Sequence, residues 1–175
     1  MRGEHRTIRP VSVRDLSAGD GPGLRAMLGR LGQDTIYKRF HTPYPRVPES
    51  MLAHLMGQVG GLSLVAVAEG EIVGHALYAG GPGGEAEVAV VVEDGWQSRG
   101  IGKLLLSGLA QRAAGVGVEA FTAVALGENR RILGLADAVF AGARHTLKGG
   151  SYEMYMPLGG LRPATKPGQE IRPAA

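Results

Sequence analysis

Residues 85–103 read EAEVAVVVEDGWQSRGIGK. The first eight, Glu85–Val92, form the strongest β-prone run of the chain, and their nearly continuous apolar character predicts a strand buried on both faces. Glu93-Asp94-Gly95-Trp96 then turns the chain, with Glu93 and Asp94 expected as solvated turn residues. At Gly100 a helix begins, and Ile101, Leu104, Leu105 and Leu109 are spaced to face inward. A strand thus delivers the backbone to a fixed point. Gly100 and Gly102 let it approach a ligand with no Cβ in the way, and the helix start offers unpaired N–H groups and a positive dipole end. Arg99 and Lys103 add charge, so the turn suits a diphosphate. The spacing fits neither Gly-x-x-x-x-Gly-Lys-Ser/Thr nor Gly-x-Gly-x-x-Gly, which excludes a Walker loop and a dinucleotide fingerprint.

Upstream, Thr7–Val13 reads as an edge strand broken by Pro10. Helical spacing follows over Asp20–Leu31, then over Asp34–Phe40 with Asp34 as its cap, and over Glu49–Gln58; the three prolines of His41–Pro48 make that segment a loop. Leu62–Ala68 and Glu71–Ala79 form a hairpin across Glu69-Gly70, and Gly80–Gly84 turns into the decisive strand. Downstream come a strand at Val118–Leu126, a helix over Glu128–Phe140, and a strand pair, Arg144–Lys148 and Tyr152–Pro157, around Gly149-Gly150. Hairpins mixed with helical crossovers predict an α+β (mixed α/β) fold, with a central, mostly antiparallel sheet flanked by helices. Residues 1–158 read as a single domain and 159–175, rich in proline and charge, as a tail.

Composition narrows the function classes. The 175 residues include 29 glycines and 10 prolines, yet 44% are hydrophobic, which favours a folded domain over a flexible chain. The net charge of +3 is mild, and three phenylalanines and one tryptophan scarcely provide stacking platforms for nucleic acid. No cysteine is present, which removes disulfides, zinc ribbons and a thiol nucleophile together. His41, His54, His75 and His145 show no metal spacing. No apolar run approaches the roughly 18 residues of a membrane span, and the polar N-terminus is unlike a signal peptide. The expected location is the cytoplasm.

Gln97-x-x-Gly100-x-Gly102 after an apolar strand resembles the acetyl-CoA signature, Gln/Arg-x-x-Gly-x-Gly/Ala, of the GNAT N-acetyltransferase superfamily. Asn129 at the opening of the later helix extends the likeness. Asp34–Phe40 with Ile72-Val73-Gly74 also looks like the acetyltransferase domain of bacterial protein-lysine acetyltransferases. The resemblance covers about residues 5–158 and implies a GNAT-like fold with splayed strands and acetyl-CoA as co-substrate, with no metal. It further implies that amides around Gly100, Ile101, Gly102 and Lys103 hold the pyrophosphate, with Gln97 and Arg99 in the same motif. The pantetheine would lie where Val88–Val92, including Val90 and Val92, splays from Val118–Leu126, contacted by Asn129. The family often places a tyrosine seven residues after the asparagine, as acid for the leaving thiolate; here that position is Ala136, and Tyr152 or Tyr155 could substitute.

An amine with a pKa near 10.4 must lose a proton to attack a thioester. Glu87 is the candidate base. Alternation puts it on one strand face with Ala89 and Val91, and desolvation in so apolar a strand would raise its pKa. It stands ten residues before Gln97, where many protein-acetylating members carry a glutamate. The leading expectation is an N-acetyltransferase acting by direct attack in a ternary complex, its acceptor a protein lysine or a small amine such as an aminoglycoside-type antibiotic. The alternative is a non-catalytic acyl-CoA-binding sensor. His75 could reach the acceptor cleft or simply pack; Trp96 is expected to pack the loop. Sheet edges of such small domains often pair, which would give a homodimer.

Overall fold

The computed structural model describes residues 10–56 and 60–163. The expected strand residues Thr7–Arg9, the end of the third helix at Gln58, and residues 164–175 of the expected tail lie outside the described residues. In chain order the elements are β1 (Val11–Asp15), α1 (Gly21–Gly29), α2 (Gln33–Phe40), α3 (Glu49–Met56), β2 (Gly61–Ala68) and β3 (Glu71–Ala79). They continue with β4 (Glu85–Val92), α4 (Ile101–Gly115), β5 (Ala120–Leu126), α5 (Arg130–Val139), β6 (Arg144–Lys148) and β7 (Ser151–Pro157).

The strands form one seven-stranded sheet in the order β1-β2-β3-β4-β5-β7-β6, with β1 at an edge as Pro10 suggested. Every neighbouring pair is antiparallel except β4 and β5. That parallel pairing has only three partners, Glu85↔Ala120, Ala86↔Phe121 and Glu87↔Thr122. Beyond Glu87 the two strands part. The mixed α+β fold with a mostly antiparallel, splayed sheet is as expected.

Side-chain alternation sorts the core onto the two faces of the sheet. Leu64, Ala66, Ala86 and Val88 pack with Leu105, Leu109, Phe121 and Phe140 on the α4 face. Val65, Ile72 and Val91 pack with Leu24, Met27, Ile36 and Leu55 on the face covered by α1–α3. Phe121 joins Tyr78 and Phe140 in an aromatic cluster, with ring centroids 5.6 and 6.2 Å apart.

Several boundaries and orientations differ from the sequence reading. Asp34 is not the cap of α2: Gly32 takes that position, and Asp34 sits in the first turn, bonded to Lys38 at 2.7 Å. On α4 the buried positions are Ile101, Leu105, Leu106, Ser107, Leu109, Ala110 and Ala113, while Leu104 is half-buried, so the inward face is centred nearer Leu105–Leu106 than the spacing predicted. Strand β4 is not buried on both faces. Ala86, Val88 and Val91 are buried, but Glu87 is exposed, since the α1–α3 layer that covers Val91 does not shield this end of the strand. The start of the expected tail belongs to the domain: Leu161 pairs with Phe140, and Arg162 N–H donates to the Val139 carbonyl at 2.9 Å. No helix among the described residues is long and apolar enough to cross a membrane.

Candidate active site

The divergence of β4 from β5 opens a cleft of about 340 Å³ beside the turn that starts α4. Its walls come from α2, the end of β4, the 97–103 turn and the start of α5. A smaller continuation of about 60 Å³ runs into the fork between Val88–Val90 and Ala123–Ala125. Arg39, Val90, Asn129 and Ile132 line both parts and mark their junction.

The turn is shaped by its backbone. Gly100 has φ 81°, a left-handed conformation that costs an L side chain about 1–2 kcal/mol. It is the N-cap of α4, and the first bond into the helix is Leu104 N–H to the Gly100 carbonyl at 3.0 Å. The amides of Ile101, Gly102 and Lys103 lie before that first bond, so they lack partners within the helix and line the cleft. Gly102 lines the cleft and also has a packing role that the sequence did not show. A Cβ there would come within 3.3 Å of Leu135, so its missing side chain lets α4 pack closely against α5.

Side chains from distant segments brace this turn. Gln97 Nε2 donates to the Val92 carbonyl at 3.0 Å and to Thr35 Oγ1 at 3.2 Å. Arg131 Nη1 donates to Gln97 Oε1 at 2.9 Å, and its Nη2 donates to Ser98 Oγ. Glu93 and Asp94, expected as solvated turn residues, are instead anchors. Arg30 pairs with Glu93 at 3.0 Å and also donates to the Ile72 carbonyl at 2.9 Å. Asp94 accepts from Gly32 N–H at 2.9 Å and from Thr35 Oγ1 at 2.8 Å. The turn is therefore tied to the α1–α2 connection on one side and to α5 on the other.

Of the residues singled out from sequence, the cleft brings together Val90, Val92, Gln97, Gly100, Ile101, Gly102, Lys103 and Asn129. Arg99 is not in its lining; the guanidinium lies over the Trp96 ring, 4.9 Å from the centroid. Glu87 lies outside the lining, at the last paired position before the fork. It is exposed there, not enclosed by apolar neighbours as the strand's composition suggested. His75 is fully buried, with Nε2 3.1 Å from Ser63 Oγ, and its pKa falls to about 3 through burial and then the nearby positive charge of Arg39. It packs rather than facing the cleft. Tyr152 and Tyr155 do not line either part, and Tyr155 is covered by Arg144 at 4.6 Å.

Thr35, Lys38, Arg39 and Arg131, none of them singled out individually from sequence, also line the cleft. Arg131 stands two residues after Asn129, so the helix opening carried a signal. The α2 residues reach the cleft through the packing of that helix on β4. Among the described residues no group of three or more His, Asp or Glu could hold a metal ion.

A family model described as the acetyltransferase (GNAT) family matches residues 32–138, the span from the start of α2 to the end of α5. The mycothiol acetyltransferase of Geodermatophilus obscurus is 36% identical over 103 residues, which are 58% of this chain and 33% of that protein. The chain thus spans about a third of the length of the curated relative it matches. Among solved structures, the GNAT domain of S. lividans PAT superposes with TM-score 0.77 at 24% identity, covering 86% of this chain and 94% of that one. A phosphinothricin acetyltransferase from Sinorhizobium meliloti, in complex with AcCoA, gives TM-score 0.67 at 23% identity, covering 93% and 96%. At these identities the structural likeness speaks for the fold.

Proposed function

The chain belongs to the acetyltransferase (GNAT) family, and from that premise we propose that it moves an acetyl group from acetyl-CoA to a primary amine. The observation that carries this reading is the fork of β4 from β5 opening onto the helix start at Gly100–Lys103. A diphosphate fits the unpaired amides and positive helix end. An extended, amide-bearing arm fits a fork in which strand edges have lost their partners. Gln97, Lys103, Asn129 and Arg131 supply polar contacts along that path.

In this reading Glu87, exposed at the mouth of the fork, takes the proton of the attacking amine directly or through water. A backbone N–H of the splayed part of β4 stabilises the oxyanion. The acceptor is a primary amine of a small molecule or of a protein lysine. The name of the mycothiol acetyltransferase relative supports a small molecule. The cation Arg39 on the cleft wall weighs against a polycationic, aminoglycoside-type acceptor. A cytoplasmic location belongs to the same reading, as does a homodimer formed through the β1 or β6 edge.

The test is release of coenzyme A from acetyl-CoA in the presence of separate panels of protein and small-molecule amines. Turnover with a member of either panel supports the transferase. One observation favours a second reading, an acyl-CoA sensor: the buried Ala136 stands where the family often carries its acid. Tight acetyl-CoA binding in calorimetry with no turnover in either panel would select the sensor.

A further inference from the structure

Arg39 is a charged side chain of the cleft with no part in the reaction so far. It projects from α2 to the junction of the two parts of the cleft. Its Cζ lies 4.9 Å from the centroid of the Phe40 ring. Its Nε is buried with no hydrogen-bond partner among the described residues. Such a group in a native fold asks for an explanation, because desolvating a donor without a partner is costly. Glu87 acts on it through space, without forming an ion pair among the described residues. Burial lowers its pKa to about 10, so it remains a cation at neutral pH.

The nearest cationic side chains, Lys38 and Arg131, are already engaged. Lys38 is held by Asp34 at 2.7 Å. Arg131 is held by Gln97 and Ser98. Lys103 lies at the helix start, at the far end of the cleft from the fork. His75, on the β3 strand below, is neutral. The site therefore presents, at the mouth of the fork, a guanidinium whose buried Nε has no hydrogen-bond partner among the described residues, and the fork lining includes Ala136 and carries no side chain able to donate a proton to sulfur.

We propose that Arg39 is a catalytic residue, the electrostatic partner of the departing sulfur. This rests on acetyl-CoA being the donor. The amine nitrogen forms its bond to the acetyl carbonyl carbon, and the amine proton passes to Glu87. The carbon–sulfur bond then breaks with its electron pair going to sulfur. The leaving group departs as a thiolate held by the guanidinium and takes up a proton from solvent afterwards. A fixed cation thereby replaces a proton donor, which is consistent with alanine at position 136.

The experiment is a pH titration of coenzyme A bound to the full chain, following the ultraviolet absorbance of the thiolate, with binding checked by calorimetry in each sample. The expected result is a bound thiol that titrates about 1 pH unit or more below free coenzyme A, as an opposite charge nearby dictates. Arg39→Gln should abolish that difference, and Arg39→Lys, which keeps the charge, should retain part of it. A bound thiol that titrates like free coenzyme A in the unmodified protein overturns the proposal. So does an Arg39→Gln variant with an unchanged titration and a raised KM for the amine alone, which would make Arg39 a contact for an anionic group of the acceptor. If coenzyme A does not bind at all, the donor assignment itself fails, a result distinct from bound but unshifted thiol.

Discussion

Arg131 and Gln97, 34 positions apart in sequence, meet through a hydrogen bond of 2.9 Å from guanidinium to amide oxygen. The same amide donates to the Val92 carbonyl at 3.0 Å, so a chain of contacts runs from α5 through the glycine turn to the end of β4. Hydrogen bonds involving a charged group contribute roughly 1.5–3 kcal/mol. Arg131→Ala should weaken coenzyme A binding about tenfold, or about 1.4 kcal/mol, in calorimetry. Gln97→Ala should act similarly, and the double variant should cost less than the sum because both break one network.

Glu87 offers a sharper test of chemistry. Glu87→Gln keeps size and hydrogen-bonding capacity but cannot accept the amine proton. Loss of a general base typically costs about 10²–10⁴-fold in rate. The expected outcome in steady-state assays is a fall of that order in kcat with little change in the KM for acetyl-CoA, since Glu87 lies outside the cleft lining. An unchanged kcat would remove Glu87 from the mechanism.

Two glycines should respond in opposite directions to the same substitution. Gly100 has φ 81°, so Gly100→Ala should destabilise the fold by about 1 kcal/mol and also disturb the turn that faces the cleft. Gly134 lies within α5 with nothing within 4 Å of an added Cβ. Gly134→Ala should therefore stabilise by about 0.5–1 kcal/mol. Thermal and denaturant melts would show both signs.

His75 makes stability depend on acidity. Its folded-state pKa is lowered from 6.5 to about 3. Between those values the unfolded chain binds the proton and the folded one does not, so stability is greatest above pH 6.5 and declines as pH falls toward 3. The slope approaches about 1.4 kcal/mol per pH unit at its steepest. Denaturant melts from pH 7 to pH 4 should show this loss, and His75→Gln, which retains a partner for Ser63, should flatten it.

The succession of strands and helices along the chain and the strand–turn–helix around Gln97 to Lys103 were legible in the sequence because each depends on local signals: alternation, glycine turns and helical spacing. The rest depended on partners that sequence proximity does not reveal. Alternation assigned Glu87 to a face of β4 but not the extent of the layer covering that face, and so its exposure came only with the fold. Glu93 and Asp94 looked like turn residues because their partners, Arg30, Gly32 and Thr35, are about 60 positions earlier. The motif's spacing says nothing of Leu135, which packs against Gly102 from a helix 33 positions later. Arg39 is one basic residue in an ordinary amphipathic helix until α2 is docked on β4.

The three-pair seam between β4 and β5 also has a mechanical meaning. It divides the sheet into two antiparallel blocks, β1 to β4 and β5 with β7 and β6, joined along one edge by very few rungs. A linear guest in the fork would serve as a splint across that joint, contacting both blocks at once. Occupancy and rigidity would then rise together, so the melting temperature should climb with ligand concentration by ordinary mass action, and amide exchange in Val88–Val92 and Ala123–Leu126 should slow before exchange in the outer strands changes.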